Sequence, residues 1–195
     1  EFRRVLFRSG GITGAGIARE AALRGIKTAI IDKNDFGYGT SSRSSKLVHG
    51  GFRYLSKGEF KLVRESTTER NWLRNHFAHN VRPLKTNVCV YKDHGISKFQ
   101  TKLGIRLYDF ISNFGSKFKQ FGSHKFFNKE EAIKRQPAIN PENLEMMGQY
   151  YDNHVDDGRL TLETIKESMY LGNVCAVSYI KVIDYKISDN QIVSL

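Results

Sequence analysis

Residues 11–32 read Gly-Ile-Thr-Gly-Ala-Gly-Ile-Ala-Arg-Glu-Ala-Ala-Leu-Arg-Gly-Ile-Lys-Thr-Ala-Ile-Ile-Asp. This order predicts a glycine-rich turn, a helix from Gly14 to Arg24 that stops at Gly25, and a short buried strand from Lys27 to Asp32. Gly14 and Gly16 let the backbone approach a pyrophosphate, because a glycine has no side chain to keep a ligand away. The start of the helix adds free N–H groups and the positive end of the helix dipole.

One face of this predicted helix is small and apolar, so it can sit close against a sheet. Its members are Gly14, Ile17, Ala18, Ala21 and Ala22. Asp32 follows the turn by about 20 residues, where a carboxylate in dinucleotide-binding proteins accepts hydrogen bonds from a ribose. A glycine triplet alone is weak evidence. With helix, strand and acid in this order, it predicts a dinucleotide-binding βαβ unit.

A second informative run, residues 39–55, reads Gly-Thr-Ser-Ser-Arg-Ser-Ser-Lys-Leu-Val-His-Gly-Gly-Phe-Arg-Tyr-Leu. A protein core cannot use such a segment, because each buried hydroxyl or amide needs a hydrogen-bond partner. An anionic ligand can use it, since it accepts bonds from hydroxyls, N–H groups and Arg or Lys side chains. Standing alone, the run would indicate a solvated polar loop. After a dinucleotide-binding unit, it predicts an anion site.

Together the two runs resemble the N-terminal part of the FAD-dependent glycerol-3-phosphate dehydrogenases, the flavoprotein family that passes electrons to quinone. The resemblance continues through Tyr108-Asp109-Phe110, Asn128-Lys129-Glu130-Glu131, Tyr150-Tyr151-Asp152 and Val155-Asp156-Asp157-Gly158-Arg159-Leu160. It therefore covers nearly the whole chain beyond residue 9. The serine-rich run is highly specific, whereas the glycine motif alone fits many flavin or nicotinamide proteins.

The resemblance implies an α/β fold with an FAD-binding Rossmann-like βαβ domain of the glutathione-reductase or amino-acid-oxidase type. Residues 10–55 and 150–195 would form part of the FAD domain, and 56–149 an interleaved cap, substrate and membrane-facing region. The implied reaction is oxidation of sn-glycerol 3-phosphate to dihydroxyacetone phosphate, with hydride leaving C2 for flavin N5 and electrons passing to quinone.

The resemblance also implies the roles of single residues. Pyrophosphate and adenosine ribose are expected to contact Gly11, Gly14, Gly16 and Asp32. The flavin side is expected to be lined by Thr40, Ser41, Ser42, Ser45, Lys46 and Leu47. The catalytic candidates nearest the substrate are His49, Arg53 and Tyr54. A guanidinium fork suits a phosphate or oxyanion, which favours Arg53 for that contact. His49 is either the general base or a structural group that organises the turn at Gly50 and Gly51.

Two features depart from the family pattern. Ser9 stands where the family has its first glycine, and residues 1–8 read Glu-Phe-Arg-Arg-Val-Leu-Phe-Arg. Such an arginine-rich octapeptide is a poor central parallel strand, because those strands are covered on both faces. We expect residues 1–9 to be foreign sequence and exclude them from the predicted fold. The chain also ends at Leu195, well under half the length of a family member, so we expect a fragment that is inactive alone.

Charge and aromatic residues concentrate between Lys98 and Lys129, in a chain whose formal net charge is +11. The cations of this segment are Lys98, Lys102, Arg106, Lys117, Lys119, Lys125 and Lys129. Cations alternating with aromatics suit an anionic membrane surface, which predicts a cytoplasmic protein on the inner face of the cell membrane. The alternative is a solvated basic helix with Leu103, Leu107 and Ile111 buried. Nucleic acid is not expected as a partner, because no RNA- or DNA-binding motif accompanies the charge.

The remaining composition excludes several other classes of protein. No apolar run approaches the ~20 residues needed to span a bilayer, and no signal-peptide pattern opens the chain. Cys89 and Cys175 lie in apolar stretches without CxxC spacing, which predicts reduced core residues. The histidines show no metal-ligand spacing, so no metal site is expected.

The rest of the chain gives a coarse prediction of secondary structure. Helices are predicted at 58–77, 98–112, 130–135 and 158–170, and strands at 88–91, 174–179, 182–187 and 191–195. We interpret Asp156 and Asp157 as caps of the helix that begins at Gly158.

Three other functions stay open. A glycerol-3-phosphate oxidase that uses oxygen would share every motif named above. Another amino-acid-oxidase-like FAD enzyme shares the glycine turn but should lack the serine-rich run. A basic membrane-surface binding module would carry the glycines by coincidence, and flavin absorption bands would exclude it.

Overall fold

The computed structural model describes residues 4–7, 9–93, 95–184, 186–188 and 191–194. The elements, in chain order, are β1 Arg4–Phe7, α1 Ile12–Leu23, β2 Lys27–Ile31, β3 Leu47–Val48, α2 Phe60–His76, β4 Val81–Tyr91, α3 Lys98–Asn113, β5 Lys125–Asn128, α4 Lys129–Arg135, β6 Leu144–Val155, α5 Asp157–Leu171, β7 Val174–Val177, β8 Lys186–Ser188 and β9 Gln191–Ser194. Short 3-10 turns lie at Thr40–Ser42 and Phe52–Lys57. Contacts divide the chain into a first unit, Glu1–Lys46 with Asp156–Leu195, and a second unit, Leu47–Val155.

A parallel sheet in the order β1-β2-β7 forms the base of the first unit. Arg4 pairs with Lys27 across β1 and β2, and Thr28 pairs with Val174 across β2 and β7. Excluding the N-terminal octapeptide from the fold was therefore wrong for Arg4–Phe7. Backbone hydrogen bonds to β2 form whatever the side chains are, and the register runs from Arg4–Lys27 to Phe7–Ile30.

The two helices of the first unit, α1 and α5, pack against each other and against β2. The buried cluster consists of Ala15, Ala18, Ile30 and Ile165, and an ion pair joins Arg19 to Glu167 at 2.7 Å. Ile17 is 41% exposed, so the predicted apolar face was wrong at this position. Ala15 takes its place, because Ala15, Ala18 and Ala22 recur at helical spacing on the buried side.

An antiparallel sheet organises the second unit. Its order is β3-β6-β4, and β5 also pairs with β6. Helices α2 and α3 supply Val63, Ile105 and Tyr108 to a buried cluster with Tyr150 of β6. β3 pairs with β6 at Leu47 and His154. Residues 47–55 and 150–155, which were predicted to lie in the FAD domain, therefore belong to the second unit.

The predicted helices are confirmed to within a few residues, whereas several strands were missed. β3, β5 and β6 were absent from the prediction, and β4 is longer than the predicted strand at 88–91. A strand was predicted at 182–187, but residues 182–184 are not part of a strand, and β8 begins at Lys186. Leu103, Leu107 and Ile111 were expected to be buried if α3 is a solvated basic helix. Leu103 is 55% exposed, so that expectation was wrong for this residue. The buried residues of α3 are instead Thr101, Ile105, Tyr108, Asp109 and Ser112.

Both cysteines are free thiols, but one of them is not a core residue. Cys89 is half-buried, and burial raises the pKa of its thiol. Cys175 is exposed, since the side chains of the short strand β7 alternate between half-buried and exposed positions. Among the described residues, no helix has the length and apolar character to cross a membrane. The same residues contain no cluster of three or more His, Cys, Asp or Glu side chains suited to a metal ion.

Candidate functional site

The glycine-rich turn is shaped by close backbone contacts at the start of α1. Gly11 is the N-cap and provides no side-chain cap; the Ile12 N–H donates to Ser41 Oγ at 2.9 Å. A Cβ added to Gly14 would lie 1.8 Å from the Ser9 carbonyl oxygen, whereas at Gly16 it would meet nothing within 4 Å. Gly14 is thus required for packing against Ser9, while exposed Gly16 leaves open space beside the helix start.

Asp32 joins the end of β2 to this turn. Its Oδ2 accepts the Gly10 N–H at 2.8 Å, and its Oδ1 accepts the Asn34 N–H at 2.9 Å. A carboxylate has about four acceptor sites, so the half-buried group keeps capacity for a ligand hydroxyl. A cavity of about 270 Å³ lies beside it, lined by Asp32, Lys33, Ile180, Lys181 and Val182. Asp32 therefore borders a cavity and also has a structural role, because it holds the Gly10 and Asn34 N–H groups.

The serine-rich run is held by Asp157 at the start of α5. Asp157 Oδ2 accepts the Ser44 N–H at 3.2 Å and the Ser44 hydroxyl at 2.6 Å, and Oδ1 pairs with Lys46 Nζ at 2.7 Å. Burial by itself would raise the pKa of Asp157, but the hydrogen bonds from Lys46 and Ser44 outweigh it and hold the pKa well below its ordinary value. The same bond raises the pKa of the Lys46 ammonium.

Asp156 and Asp157 consequently have different functions. Asp156 caps α5 by accepting the Arg159 N–H at 3.1 Å, as predicted. Asp157 lies in the first turn of α5 and fixes residues 44–46, so its interpretation as a simple cap was wrong. Lys46, which pairs with Asp157, has a left-handed backbone with φ 56. A non-glycine residue adopts this conformation only when its surroundings hold it there.

The other predicted flavin-facing residues lie near the glycine turn or remain exposed. Ser41 and Ser42 are half-buried, and Thr40 and Ser45 are exposed. The Ser41 hydroxyl lies 3.0 Å from the position that a Cβ on Gly11 would occupy, so the structure brings these two predicted contacts together. Leu47 belongs to the second unit and is exposed in β3.

A tight turn at Gly50 and Gly51 positions the catalytic candidates of the second unit. The Gly50 N–H donates to the Tyr108 hydroxyl at 2.9 Å and to Asp152 Oδ1 at 3.3 Å. A Cβ on Gly50 would lie 2.2 Å from Thr67 Cγ2. Gly51 has φ 71, and its N–H donates to His49 Nδ1 at 3.0 Å. Both glycines are therefore required by the local structure.

Three exposed side chains surround this turn. The Tyr54 ring packs directly on Gly51. If Gly51 had a Cβ atom, that atom would lie 2.4 Å from Tyr54 Cδ2. His49 and Arg53 are exposed. Within the described ranges the Arg53 guanidinium makes no hydrogen bond or ion pair, and the backbone carbonyl of Arg53 accepts the Ser56 hydroxyl at 2.8 Å. Arg53 is thus presented to solvent with its donor fork available for an anion.

Beneath the turn lies a buried network that sequence reasoning missed. Arg70 of α2 is 1% exposed and donates to the Tyr108 hydroxyl at 3.0 Å and to Asp152 Oδ1 at 2.8 Å. Its second terminal nitrogen donates to Ser112 Oγ at 2.6 Å and to Gln120 Oε1 at 3.1 Å. The Tyr108 hydroxyl donates to Asp152 at 2.7 Å. Burial raises the pKa of Tyr108 far above its ordinary value, so the phenol stays protonated.

One sequence feature could have indicated this network. The buried residues of α2 are Val63, Thr67, Arg70 and Asn71, which recur at helical spacing. An arginine and an asparagine on the same stripe as a buried valine indicate an internal polar network, because buried charges require partners. The partners on α3 and β6 could not be read from the sequence.

The chain matches the family described as FAD dependent oxidoreductase over residues 10–194. It is 37% identical over 164 residues to an aerobic glycerol-3-phosphate dehydrogenase of Staphylococcus haemolyticus, covering 84% of this chain and 29% of that protein. It is 37% identical over 189 residues to an alpha-glycerophosphate oxidase of Streptococcus pyogenes, covering 96% of this chain and 30% of that protein. The chain thus spans about 30% of the length of the curated relatives it matches.

A similar solved structure is the glycerol-3-phosphate dehydrogenase from Bacillus halodurans complexed with FAD. The TM-score is 0.65 at 28% sequence identity, and the match covers 97% of this chain and 29% of that one.

Proposed function

The chain belongs to the family of FAD-dependent oxidoreductases, and from this premise we propose that the protein carrying it oxidises glycerol 3-phosphate to dihydroxyacetone phosphate. Relatives that are 37% identical are named as a dehydrogenase and an oxidase of this compound. The observation that carries the proposal is the turn at Gly50 and Gly51, which presents exposed Arg53 and His49 beside a buried network that holds it.

The first unit fits the FAD of this family. At the start of α1, Ser41 accepts the Ile12 N–H, Gly11 supplies no side-chain cap, and Gly16 leaves open space. Such a helix start suits a pyrophosphate, since helix N-termini bind phosphates through backbone N–H groups. The cavity beside Asp32 suits the adenosine end. When bound, FAD would supply the redox chemistry as the hydride acceptor.

The second unit supplies groups for a small phosphorylated substrate. Arg53 can bind two phosphate oxygens at once, and a hydrogen bond to a charged group contributes about 1.5–3 kcal/mol. Tyr54 is positioned by its packing on Gly51 and presents a phenol close by. These residues bind and orient the substrate, whereas Tyr108 and Arg70 are buried and act on it only through the turn.

For the electron acceptor we propose quinone, reached from an anionic membrane surface on the cytoplasmic side. The support is an exposed set of aromatic side chains interleaved with exposed lysines. The aromatics are Phe99, Phe110, Phe114 and Phe121, and the lysines are Lys98, Lys102, Lys117, Lys119 and Lys125. Such surfaces bind anionic lipid through apolar insertion and about 1 kcal/mol per cation. Oxygen is the alternative acceptor, because one set of relatives is named as oxidases.

The test is a purified FAD-loaded protein assayed with glycerol 3-phosphate under anaerobic conditions. Reduction of a soluble quinone analogue with formation of dihydroxyacetone phosphate supports the proposal. Turnover only with oxygen, with peroxide formed, would replace quinone by oxygen. Absence of flavin absorbance, or a flavin that glycerol 3-phosphate does not reduce, would overturn the function itself.

A further inference from the structure

The Asp157 carboxylate accepts a hydrogen bond at each of its lone-pair positions. Its Oδ2 accepts the Ser44 N–H at 3.2 Å and the Ser44 hydroxyl at 2.6 Å. Its Oδ1 accepts from Lys46 Nζ at 2.7 Å and from the Gly158 N–H at 2.9 Å. A carboxylate has about four acceptor sites, so these bonds leave none for a ligand. Asp157 can therefore influence a bound molecule only through the residues that it holds.

The Ser44 hydroxyl carries this contact to the backbone of Lys46. It donates its proton to Asp157 and accepts the Lys46 N–H at 3.0 Å. Since a hydroxyl has a single proton, the bond to Asp157 fixes which way the hydroxyl points and frees its lone pairs for that N–H. Asp157 thus holds Lys46 at two places, directly at the ammonium and through Ser44 at the backbone.

Lys46 needs this restraint because of its backbone conformation. Its φ is 56, in the left-handed region where a residue with a Cβ is strained. Its ammonium has three donors, and within the described residues it bonds to Asp157 alone. The Lys46 side chain is 45% exposed, and the neighbouring Ser45 is exposed. The restrained segment therefore presents donors that a ligand can use.

The same segment adjoins the start of α1, where we place the pyrophosphate of FAD. The Ile12 N–H donates to Ser41 Oγ at 2.9 Å. At the other side, a Cβ added to Gly158 would lie 3.4 Å from Ser42 Cβ. Residues 41–46 are therefore anchored both to the start of α1 and to the start of α5.

We propose that Asp157 is a positioning residue for FAD binding, which holds residues 44–46 in the backbone conformation that directs Lys46 and Ser45 donors to acceptor oxygens of FAD. This rests on the proposed function, because it takes FAD as the ligand of the first unit. Asp157 makes no contact with FAD itself, since its acceptor sites are filled. Without the carboxylate, Lys46 relaxes to a commoner backbone region and its ammonium leaves the site.

The first test measures FAD affinity without any turnover. The full-length protein is stripped of FAD and titrated with FAD by flavin fluorescence. Asp157→Asn removes the charge of the pair, and we expect the Kd for FAD to rise about tenfold. The matched control is Asp156→Asn, which removes the same charge one residue away and keeps the cap of α5, because Asn caps as well as Asp. Equal rises in the two variants would assign the effect to charge at the helix start and overturn the proposal.

A double-mutant cycle with Lys46→Gly separates positioning from a general loss of stability. Glycine adopts the left-handed backbone without strain and has no ammonium, so it needs neither contact with Asp157. Lys46→Gly alone should bind FAD more weakly than the wild type. In that background Asp157→Asn should raise the Kd by no more than about twofold further. A tenfold rise in both backgrounds would mean that Asp157 acts independently of Lys46, which would overturn the proposal.

A third variant keeps the proposal testable even if Asp157→Asn does not fold. Ser44→Ala leaves α5 intact and removes the hydroxyl between Asp157 and the Lys46 N–H, so we expect a Kd for FAD several-fold higher. Ser116→Ala, which removes a hydroxyl that donates to the Phe118 carbonyl, should bind FAD normally. Unchanged affinity in Ser44→Ala would overturn the positioning role alone. A wild type that binds FAD but is not reduced by glycerol 3-phosphate would overturn the proposed reaction and leave the affinities as support for Asp157.

Discussion

The Lys46 ammonium lies 2.7 Å from the Asp157 carboxylate, although 111 residues separate the two along the chain. The contact ties the end of the serine-rich run to the first turn of α5, and the Ser44 hydroxyl shares the same carboxylate. Residues 44–46 are therefore ordered by a contact between distant parts of the first unit, and they require it because Lys46 has a left-handed backbone.

The first prediction concerns pH. The folded-state pKa of Asp157 lies below its ordinary value, so the carboxylate stabilises the fold above its unfolded pKa of about 4. That contribution is lost as the pH falls through the folded pKa. We expect Asp157→Asn to lower the free energy of unfolding at pH 7 and to make the decline in acid shallower, as measured by urea denaturation between pH 7 and pH 3. Glu20→Gln, which breaks the exposed pair with Arg24, is the control and should change little.

The second prediction concerns FAD affinity. Asp32→Ala removes the group beside the cavity at the end of β2, and the loss of a charge-assisted hydrogen bond should weaken FAD binding by about 1.5–3 kcal/mol. Flavin fluorescence titration measures it. Asp35→Ala, an exposed acid nearby on the same loop, serves as the control. If the Asp32 variant binds FAD as tightly as the wild type, the carboxylate serves only the Gly10 and Asn34 N–H groups.

A third substitution addresses substrate binding. Arg53→Ala should raise the KM for glycerol 3-phosphate about tenfold or more while FAD content stays constant, because the guanidinium lies in the second unit and is exposed. Arg53→Lys should restore only part of the affinity, since an ammonium lacks the fork. Lys57→Ala removes an exposed cation from the same 3-10 turn and should have normal kinetics. Normal kinetics in Arg53→Ala would make the arginine structural.

The buried network gives a fourth prediction. Arg70→Met leaves the Asp152 carboxylate without its cation in a buried site, and breaking such a pair costs about 3–5 kcal/mol. Chemical denaturation should show this loss as a lower free energy of unfolding. Arg159→Met, which breaks the exposed pair with Glu163, should cost less than about 1 kcal/mol. Equal stability of the two variants would contradict the role of the network.

The membrane proposal gives the fifth prediction. Replacing Lys117, Lys119 and Lys125 with Gln should weaken binding to anionic vesicles by up to ~3 kcal/mol, and added salt should release the wild type. A control with Lys33, Lys57 and Lys61 replaced carries the same charge change at other exposed positions. If both triple variants sediment with vesicles equally well, net charge rather than this surface determines binding.

Several site residues could be predicted because their signals are local. The glycine-rich turn, the helix and the acid at the end of β2 lie within about 20 residues, and their order reflects a βαβ unit that forms from neighbouring residues. Asp156 could be predicted as a cap for the same reason, since a cap bonds to a backbone N–H a few residues further on.

The sequence by itself determined the family, the start of the FAD-binding unit and the residues of the serine-rich run, because these depend on short-range order and on residue type. The tertiary structure alone decided that Asp157 holds Lys46 and that Tyr108 and Asp152, together with Arg70, fix Gly50. The Arg70–Asp152 pair joins residues 82 positions apart, and the Gly50 N–H reaches Asp152 across 102 positions. Such contacts arise from the register of β6 and the packing of α2 and α3, which no local pattern encodes.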